Sequence, residues 1–174
     1  MQDILVVVDM QNDFIDGVLG TKEAQQIVPL VGKKIKNFEG KVIFTRDTHG
    51  ENYADTQEGR KLPVPHCIKG TDGWQISPVL SVLCDETPID KVTFGSSELA
   101  LRLKEADEKE KIGSITLIGL CTDICVISNA MVLKAFLPET EIIVDASCCA
   151  GVSPESHNTA LQAMKVCQIR IDNE

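Results

Sequence analysis

Residues 119–126 have the sequence Gly-Leu-Cys-Thr-Asp-Ile-Cys-Val and contain the side chain best suited to nucleophilic chemistry, the thiol of Cys125. A short apolar run precedes them and a longer one, residues 126–137, follows, which is typical of a buried strand that turns into a helix. Thr122 or Asp123 could cap that helix and bring Cys125 to its first turn, where unpaired N–H groups and the helix dipole favour a thiolate and an oxyanion. The segment therefore suggests a cysteine nucleophile, although free cysteines are also commonly buried and inert.

Two charged residues, Asp9 and Lys91, each follow a short apolar run. Residues 4–8 are β-branched or leucine and indicate a strand buried on both faces, with Asp9 at its carboxyl end. Residues 87–90 indicate a shorter strand that leads to Lys91. Because open α/β sheets bind ligands at the carboxyl ends of their strands, we expect both side chains to lie near Cys125. The alternatives are a turn residue at position 9 and a solvated surface lysine at position 91.

A second group of candidate residues lies around a long irregular loop. Asp47 and His49 follow a strand predicted at residues 41–45, and the loop at residues 50–73 contains His66. One carboxylate and two imidazoles suit zinc, iron or manganese, and long loops in compact domains are commonly functional. The residues alone leave open whether they bind a metal or are ordinary polar loop residues.

Short apolar runs alternate with amphipathic segments along the chain, which is typical of a parallel sheet covered by helices. Hydrophobic residues make up 43% of the sequence and aromatic residues only 4%, so the core must consist mainly of aliphatic side chains. We expect one domain, residues 1–174, with a three-layer α/β/α architecture and a Rossmann-like, mostly parallel sheet of six strands. The predicted strands are residues 4–8, 41–45, 87–90, 114–118, 141–144 and 167–171, and the predicted helices are residues 23–38, 74–83, 97–110, 126–137 and 153–164.

The net charge and the cysteine content indicate which binding partners and which cellular compartment to expect. A net charge of −9 disfavours nucleic acids and anionic membranes and favours a small-molecule partner. Seven cysteines, two of them adjacent at Cys148 and Cys149, and the lack of a signal segment predict free thiols and a cytoplasmic location. No apolar run approaches the length of a membrane span. The run at residues 126–137 is apolar on nearly all sides, which predicts a homo-oligomer.

Three separate motifs, in order along the chain, resemble those of the isochorismatase-like cysteine hydrolases, and within them the nicotinamidase and pyrazinamidase branch. They are Asp-Met-Gln-Asn-Asp-Phe at residues 9–14, Lys-Val-Thr-Phe at residues 91–94 and the cysteine segment at residues 119–126. The resemblance covers nearly the whole chain. It implies a hydrolase of small amides with a thioester intermediate. Isochorismate hydrolysis is disfavoured, because enzymes with that activity do not use the cysteine that this chain has.

The resemblance implies a role for each residue of a catalytic triad. Cys125 would be the nucleophile, Asp9 the general base and later the acid, and Lys91 would balance the charge between them. A cis peptide bond would lie between Leu120 and Cys121, so that the N–H groups of Cys121 and Cys125 face the oxyanion.

The resemblance also implies a divalent metal. The matching ligands are Asp47, His49 and His66, with Glu58 as a further carboxylate from the intervening loop. Zinc is the first expectation, and iron and manganese are the others. In nicotinamidases one open coordination position takes the pyridine nitrogen of the substrate.

The substrate is less clearly defined by the sequence. Nicotinamidases flank the pyridine ring with aromatic side chains, whereas the loop between His49 and His66 has only Tyr53. Phe14 and Phe94 are the remaining candidates for walls of a substrate pocket. The hypotheses are therefore a nicotinamidase, a related hydrolase of ureido, carbamoyl or maleamate-type amides, and a non-catalytic thiol-rich binding protein.

Overall fold

The computed structural model describes residues 1–174, which form a six-stranded sheet with helices on both faces. The strands are β1 (Gln2–Val8), β2 (Lys41–Asp47), β3 (Ile89–Lys91), β4 (Ile112–Leu120), β5 (Glu141–Ala150) and β6 (Arg170–Asp172). The helices are α1 (Asn12–Ile15), α2 (Lys22–Lys36), α3 (Gln57–Lys61), α4 (Pro78–Ser81), α5 (Ser97–Lys109), α6 (Ile127–Phe136) and α7 (Pro154–Val166). A 3₁₀ turn, Tyr53–Asp55, and a π-helical turn, Thr122–Val126, complete the regular structure.

The strands pair in the order β3-β2-β1-β4-β5-β6, and every neighbouring pair is parallel. The predicted three-layer α/β fold is therefore confirmed. The central strands β1 and β4 are buried on both faces over most of their length, because helices cover each side and β-branched side chains fill the space between the layers. No helix combines the length and apolar character needed to cross a membrane.

The two helical layers contain different parts of the chain. On one face, Val31 of α2 packs with Leu5 and Val7 of β1. On the other face, Leu103 of α5 and Leu133 of α6 pack with the alternate side chains of β1. This alternation follows from the period of two in a strand. The layers leave one edge of the sheet, formed by the carboxyl ends of the strands, to the connecting loops.

The strand order changes direction between β1 and β4, and at this point the two backbones come very close. Gly119 pairs with Val8 and has a φ of 115°. A Cβ atom at residue 119 would lie 2.2 Å from the carbonyl oxygen of Val8, so a residue with a side chain cannot occupy this position without moving a strand. Such a switch point is where α/β sheets bind ligands.

Three predicted elements differ clearly from those observed. The strand expected at residues 141–144 is β5, which continues to Ala150. The helix expected at residues 74–83 is only α4, because residues 72–74 form a turn and Ile76 forms an antiparallel bridge with Gln11. The last strand begins at Arg170 rather than at residue 167, because Cys167 still caps the carboxyl end of α7.

Candidate active site

Four polar side chains meet where β1, β2, β3 and β4 end. Asp9 follows β1, Asp47 is the last residue of β2, Lys91 is the last residue of β3, and Cys125 lies in the π-helical turn after β4. All four are buried, with at most 4% of each residue exposed to solvent. The parallel register brings Asp47 beside Lys91, so side chains distant in sequence share one edge of the sheet.

The ammonium group of Lys91 lies at the centre of this cluster. Its Nζ atom is 2.6 Å from Asp9 Oδ2, 3.2 Å from Asp47 Oδ1 and 3.3 Å from Cys125 Sγ. Burial alone would lower the pKa of Lys91, but the charges of Asp9, Cys125 and Asp47 outweigh it and raise the pKa well above its ordinary value. The lysine therefore remains a cation between two carboxylates and a thiol.

The two carboxylate oxygens of Asp9 have different partners. Oδ1 accepts a hydrogen bond of 2.7 Å from the hydroxyl of Thr45, whereas the buried Oδ2 faces Lys91 Nζ at 2.6 Å and has no other hydrogen-bond donor. Burial raises the pKa of Asp9 more than the Lys91 charge lowers it. An aspartate with a raised pKa is a better proton acceptor than a solvated one.

The turn that contains Cys125 is not capped as the sequence suggested. Neither Thr122 nor Asp123 caps the helix with its side chain, because both side chains have partners elsewhere. The Thr122 hydroxyl shares a hydrogen bond of 2.7 Å with Nδ1 of His157, and the Asp123 carboxylate accepts the N–H of Val152. Both side chains therefore tie the turn to the segment that begins α7.

The expected thiolate character of Cys125 is also wrong for this structure. Burial, followed by the negative charge of Asp9, raises the pKa of the Cys125 thiol well above its ordinary value and outweighs the nearby Lys91. At neutral pH Cys125 is a thiol and needs a base to become nucleophilic. All seven cysteines are free of disulfide bonds, as expected.

The backbone of the turn offers a hydrogen-bond donor for an oxyanion. The peptide bond between Leu120 and Cys121 is cis. The N–H of Cys121 donates to no acceptor in the protein, whereas its carbonyl oxygen accepts the N–H groups of Ile124 and Val126. A free N–H group beside a buried nucleophile can bind the oxygen of a carbonyl under attack.

A second cluster adjoins the first through Asp47. The ligand atoms of Asp47, His49, Glu58 and His66 all lie within 4.8 Å of one another. Nε2 of His49 is 3.0 Å from Asp47 Oδ2 and 3.6 Å from Glu58 Oε1, and Nε2 of His66 is 3.6 and 3.7 Å from the same two oxygens. Ligands bonded to zinc at about 2.1 Å lie roughly 3.0–3.5 Å apart, so a small adjustment would bring these four atoms around one ion.

The protonation of the cluster also fits a cation. Nδ1 of His66 faces the carbonyl oxygen of Val64 at 2.8 Å and must donate to it, which directs Nε2 to the two carboxylates. Burial alone would raise the pKa of Asp47, but hydrogen bonds from His49 and His66 lower it. Burial alone would lower the pKa of His66, but its hydrogen bonds with Asp47 and Val64 raise it. Asp47 therefore stays ionised, and the raised pKa of His66 shows that its position beside two carboxylates favours positive charge.

The aromatic candidates have different surroundings. Phe14 is buried, with its ring 5.5 Å from that of His66. Phe94 is 45% exposed and follows Thr93, whose carbonyl oxygen accepts a hydrogen bond from Lys91. Tyr53 is buried against both His49 and His66, and its hydroxyl donates to a backbone carbonyl. Its ring therefore supports the imidazoles.

Three residues in and around the site escaped the sequence analysis. Thr45 binds Asp9, His157 binds Thr122, and Asn129 donates to the carbonyl oxygens of Cys125 and Phe94. Asn129 had a detectable signal, since it is a buried amide in an otherwise apolar helix. No sequence signal marks Thr45 or His157, because the partners of a strand threonine and of a helical histidine are known only from the folded structure.

Comparison with known proteins agrees with this geometry. An isochorismatase domain model matches residues 3–173. The chain belongs to the isochorismatase family. An uncharacterized isochorismatase family protein, PncA, from Bacillus subtilis strain 168 is 32% identical over 92% of this chain and 93% of its own. A crystal structure of nicotinamidase PncA from Bacillus subtilis has a TM-score of 0.77 at 27% identity, with 99% of this chain and 100% of that chain covered.

Two further solved structures belong to the same fold. Pyrazinamidase of Pyrococcus horikoshii in complex with zinc has a TM-score of 0.79 at 25% identity and full coverage of both chains. N-carbamoylsarcosine amidase from Thermoplasma acidophilum has a TM-score of 0.76 at 28% identity, with 99% of this chain and 96% of that chain covered. The predicted family branch and the predicted amidohydrolase class are thereby confirmed.

Proposed function

We propose that this family member hydrolyses nicotinamide or a closely related small aromatic amide to the acid and ammonia. The observation that carries the proposal is the contact of Lys91 with Asp9, Cys125 and Asp47, which joins a buried thiol and a buried carboxylate to a cluster suited to a metal. The similarity to nicotinamidase and pyrazinamidase structures supports the aromatic amide as substrate.

In the first half of the reaction, the thiol of Cys125 attacks the amide carbonyl carbon and its proton passes to Asp9. Oδ2 of Asp9 is the acceptor, because Oδ1 already accepts the Thr45 hydroxyl and Oδ2 faces only Lys91. The carbonyl oxygen becomes negative and is bound by the N–H of Cys121, together with that of Cys125. Asp9 then returns the proton to the amide nitrogen, so that ammonia leaves and a thioester forms.

In the second half, water attacks the thioester as Asp9 accepts one of its protons. The carbon–sulfur bond breaks, the acid leaves, and the proton returns to Cys125, which restores the thiol. Lys91 stays charged throughout and keeps the free energy of the Asp9 carboxylate and of the transient thiolate low in a buried site. The raised pKa of Cys125 means that its thiol is protonated at rest, so Asp9 must remove the proton during the attack.

Zinc is the first candidate for the metal in this proposal, and iron and manganese are the alternatives. Asp47, His49, Glu58 and His66 would hold it, because their donor set and spacing fit a divalent ion. When bound, the ion would supply an electrophilic anchor for the ring nitrogen of nicotinamide. Phe14, beside His66, would line the same side of the pocket, and Phe94 would lie at its rim.

A second candidate activity is hydrolysis of an N-carbamoyl amide. It is supported by the similarity to N-carbamoylsarcosine amidase and by the position of Tyr53. The ring of Tyr53 packs against His49 and His66, so the loop between these histidines offers no aromatic wall for a pyridine ring.

The test is ammonia release from nicotinamide, pyrazinamide and N-carbamoylsarcosine, with zinc, iron or manganese added in turn. We expect release from the two aromatic amides, loss of release in Cys125→Ala, and normal release in the matched control Cys167→Ala, which removes an exposed thiol. Release from N-carbamoylsarcosine alone would favour the second candidate. Release from none of the three, or normal rates in Cys125→Ala, would contradict the proposal.

A further inference from the structure

The first loop of the chain contains a glutamine that pairs with the backbone of a candidate metal ligand. Gln11 is fully buried. Its Nε2 donates to the carbonyl oxygen of Asp47 at 2.8 Å, and its Oε1 accepts the N–H of Asp47 at 2.7 Å. Because β1 ends at Val8 whereas β2 continues to Asp47, the Gln11 amide takes the place of a strand residue beside Asp47.

The same amide extends to the other side of the cluster. Nε2 of Gln11 also donates to the carbonyl oxygen of Trp74 at 2.9 Å. Trp74 in turn donates from Nε1 to the hydroxyl of Thr48 at 2.9 Å, and Thr48 is the residue between Asp47 and His49. Oε1 and Nε2 of Gln11 are therefore both engaged in hydrogen bonds that hold the segment with Asp47 and His49.

Two residues further on, Asp13 holds the segment that contains His66. Its Oδ2 accepts the N–H of Cys67 at 2.7 Å, and the carbonyl oxygen of Cys67 accepts the N–H of His49 at 3.0 Å. Cys67 has a φ of 47°, a conformation that a residue with a side chain adopts only when its surroundings hold it. The carboxylate also packs tightly against Gly73, where a Cβ would lie 2.2 Å from Oδ2.

We propose that Gln11 and Asp13 are positioning residues for the metal cluster. They fix the backbone beside Asp47, His49 and His66 rather than touching an ion themselves. This inference rests on the metal site of the proposed function and assigns a role to two polar residues at the start of α1 that the hydrolytic chemistry leaves unused. The segment that begins at Asp9 would then stabilise both the triad and the metal ligands.

The test measures zinc binding, with zinc alone as the probe, by competition with a chromophoric chelator. Loss of residues that orient metal ligands costs about 10–100-fold in metal affinity, and we expect that loss in Gln11→Ala and in Asp13→Ala. Asp13→Asn retains an acceptor oxygen for the N–H of Cys67 and should recover most of the affinity. Circular dichroism establishes that each variant is folded, and either alanine variant suffices if the other does not fold.

Two matched controls separate positioning from general stability. Asn12→Ala removes another hydrogen bond from a side chain to the backbone at the start of α1. Asn12 Nδ2 donates to the carbonyl oxygen of Asp72 at 2.9 Å on the surface. Val31→Ala destabilises the buried contact of α2 with the sheet and touches no candidate ligand. Both should bind zinc within about twofold of the wild type.

The outcomes distinguish this inference from the proposed function. A wild-type protein that binds no zinc would overturn the metal site and this inference with it. A wild type that binds zinc, with equal affinity in folded Gln11→Ala and Asp13→Ala, would overturn the positioning role alone. An equal loss of affinity in Val31→Ala would show that zinc binding follows stability, and would also overturn it.

Discussion

Replacement of Lys91 by methionine, which has a similar length and no charge, tests the electrostatic argument most directly. In the folded protein the ammonium lies 2.6 Å from Asp9 and 3.2 Å from Asp47. At an effective dielectric constant of about 20, these contacts correspond to roughly 6 and 5 kcal/mol of attraction. Transfer of the ammonium from water into the site offsets several kcal/mol of that attraction, and loss of one partner from a buried ion pair costs about 3–5 kcal/mol.

We therefore expect Lys91→Met to lower the free energy of unfolding by about 3–5 kcal/mol at pH 8. The loss should become smaller as the pH falls. Burial raises the pKa of Asp9 in the folded state, and without Lys91 only the hydrogen bond from Thr45 opposes that shift. Between the raised pKa of Asp9 in the wild type and its still higher pKa in the variant, the folded variant binds a proton that the folded wild type does not bind, so acidification through that range stabilises the variant relative to the wild type.

The assay is urea unfolding in the presence of a chelator, followed by circular dichroism and by the fluorescence of Trp74, the only tryptophan. The matched control is Lys41→Met, which breaks the exposed ion pair with Glu86 at 2.8 Å and should cost less than about 1 kcal/mol. Asp9→Asn combined with Lys91→Met should restore part of the stability. Equal losses for Lys91→Met and Lys41→Met, or a loss that grows towards low pH, would refute the reasoning.

Three other results are expected. The rate of Cys125 alkylation by iodoacetamide should keep rising from pH 7 to pH 9, because burial raises the pKa of its thiol; a plateau at pH 7 would reveal a resting thiolate. His157→Ala should lower kcat about tenfold with little change in KM, through loss of a buried hydrogen bond to Thr122, and His157→Gln should recover much of it; a change in KM alone would contradict this. Sedimentation at micromolar concentration should show an oligomer, because Met131 and Val132 of α6 stay partly exposed; a monomer would count against it.

The strands and the positions of Asp9, Lys91 and Cys125 were predictable because they depend on local patterns and one topological rule. A short run of β-branched residues bounded by polar residues indicates a buried strand, and parallel strands share one carboxyl edge. The same reasoning brought Asp47 and His49 to that edge. Residue types and spacing were thus sufficient for the order of the strands along the chain, although not for every end, as α4, β5 and β6 show.

Contacts that depend on a third element were not predictable. The sequence around Thr122 and Asp123 is that of a helix cap, yet both side chains bind partners near the start of α7, about 30 residues away. The pKa of Cys125 is raised rather than lowered as predicted, because full burial and the charge of Asp9 outweigh the nearby Lys91. In both cases tertiary packing overrode a local rule.

The close approach of the backbones at Gly119 has a practical consequence for redirecting the enzyme to other amides. The carbonyl oxygen of Val8 fills the space that any side chain at residue 119 would need, so a substitution there would displace the strand that leads to the nucleophile. The segment between His49 and His66 is held by hydrogen bonds within itself and by the packing of Tyr53 against His66. A mutant library should therefore keep residues 119–125, Tyr53 and Glu58 constant and diversify the exposed positions of that segment, together with the exposed rim at Phe94, where new side chains can alter the pocket without moving the triad.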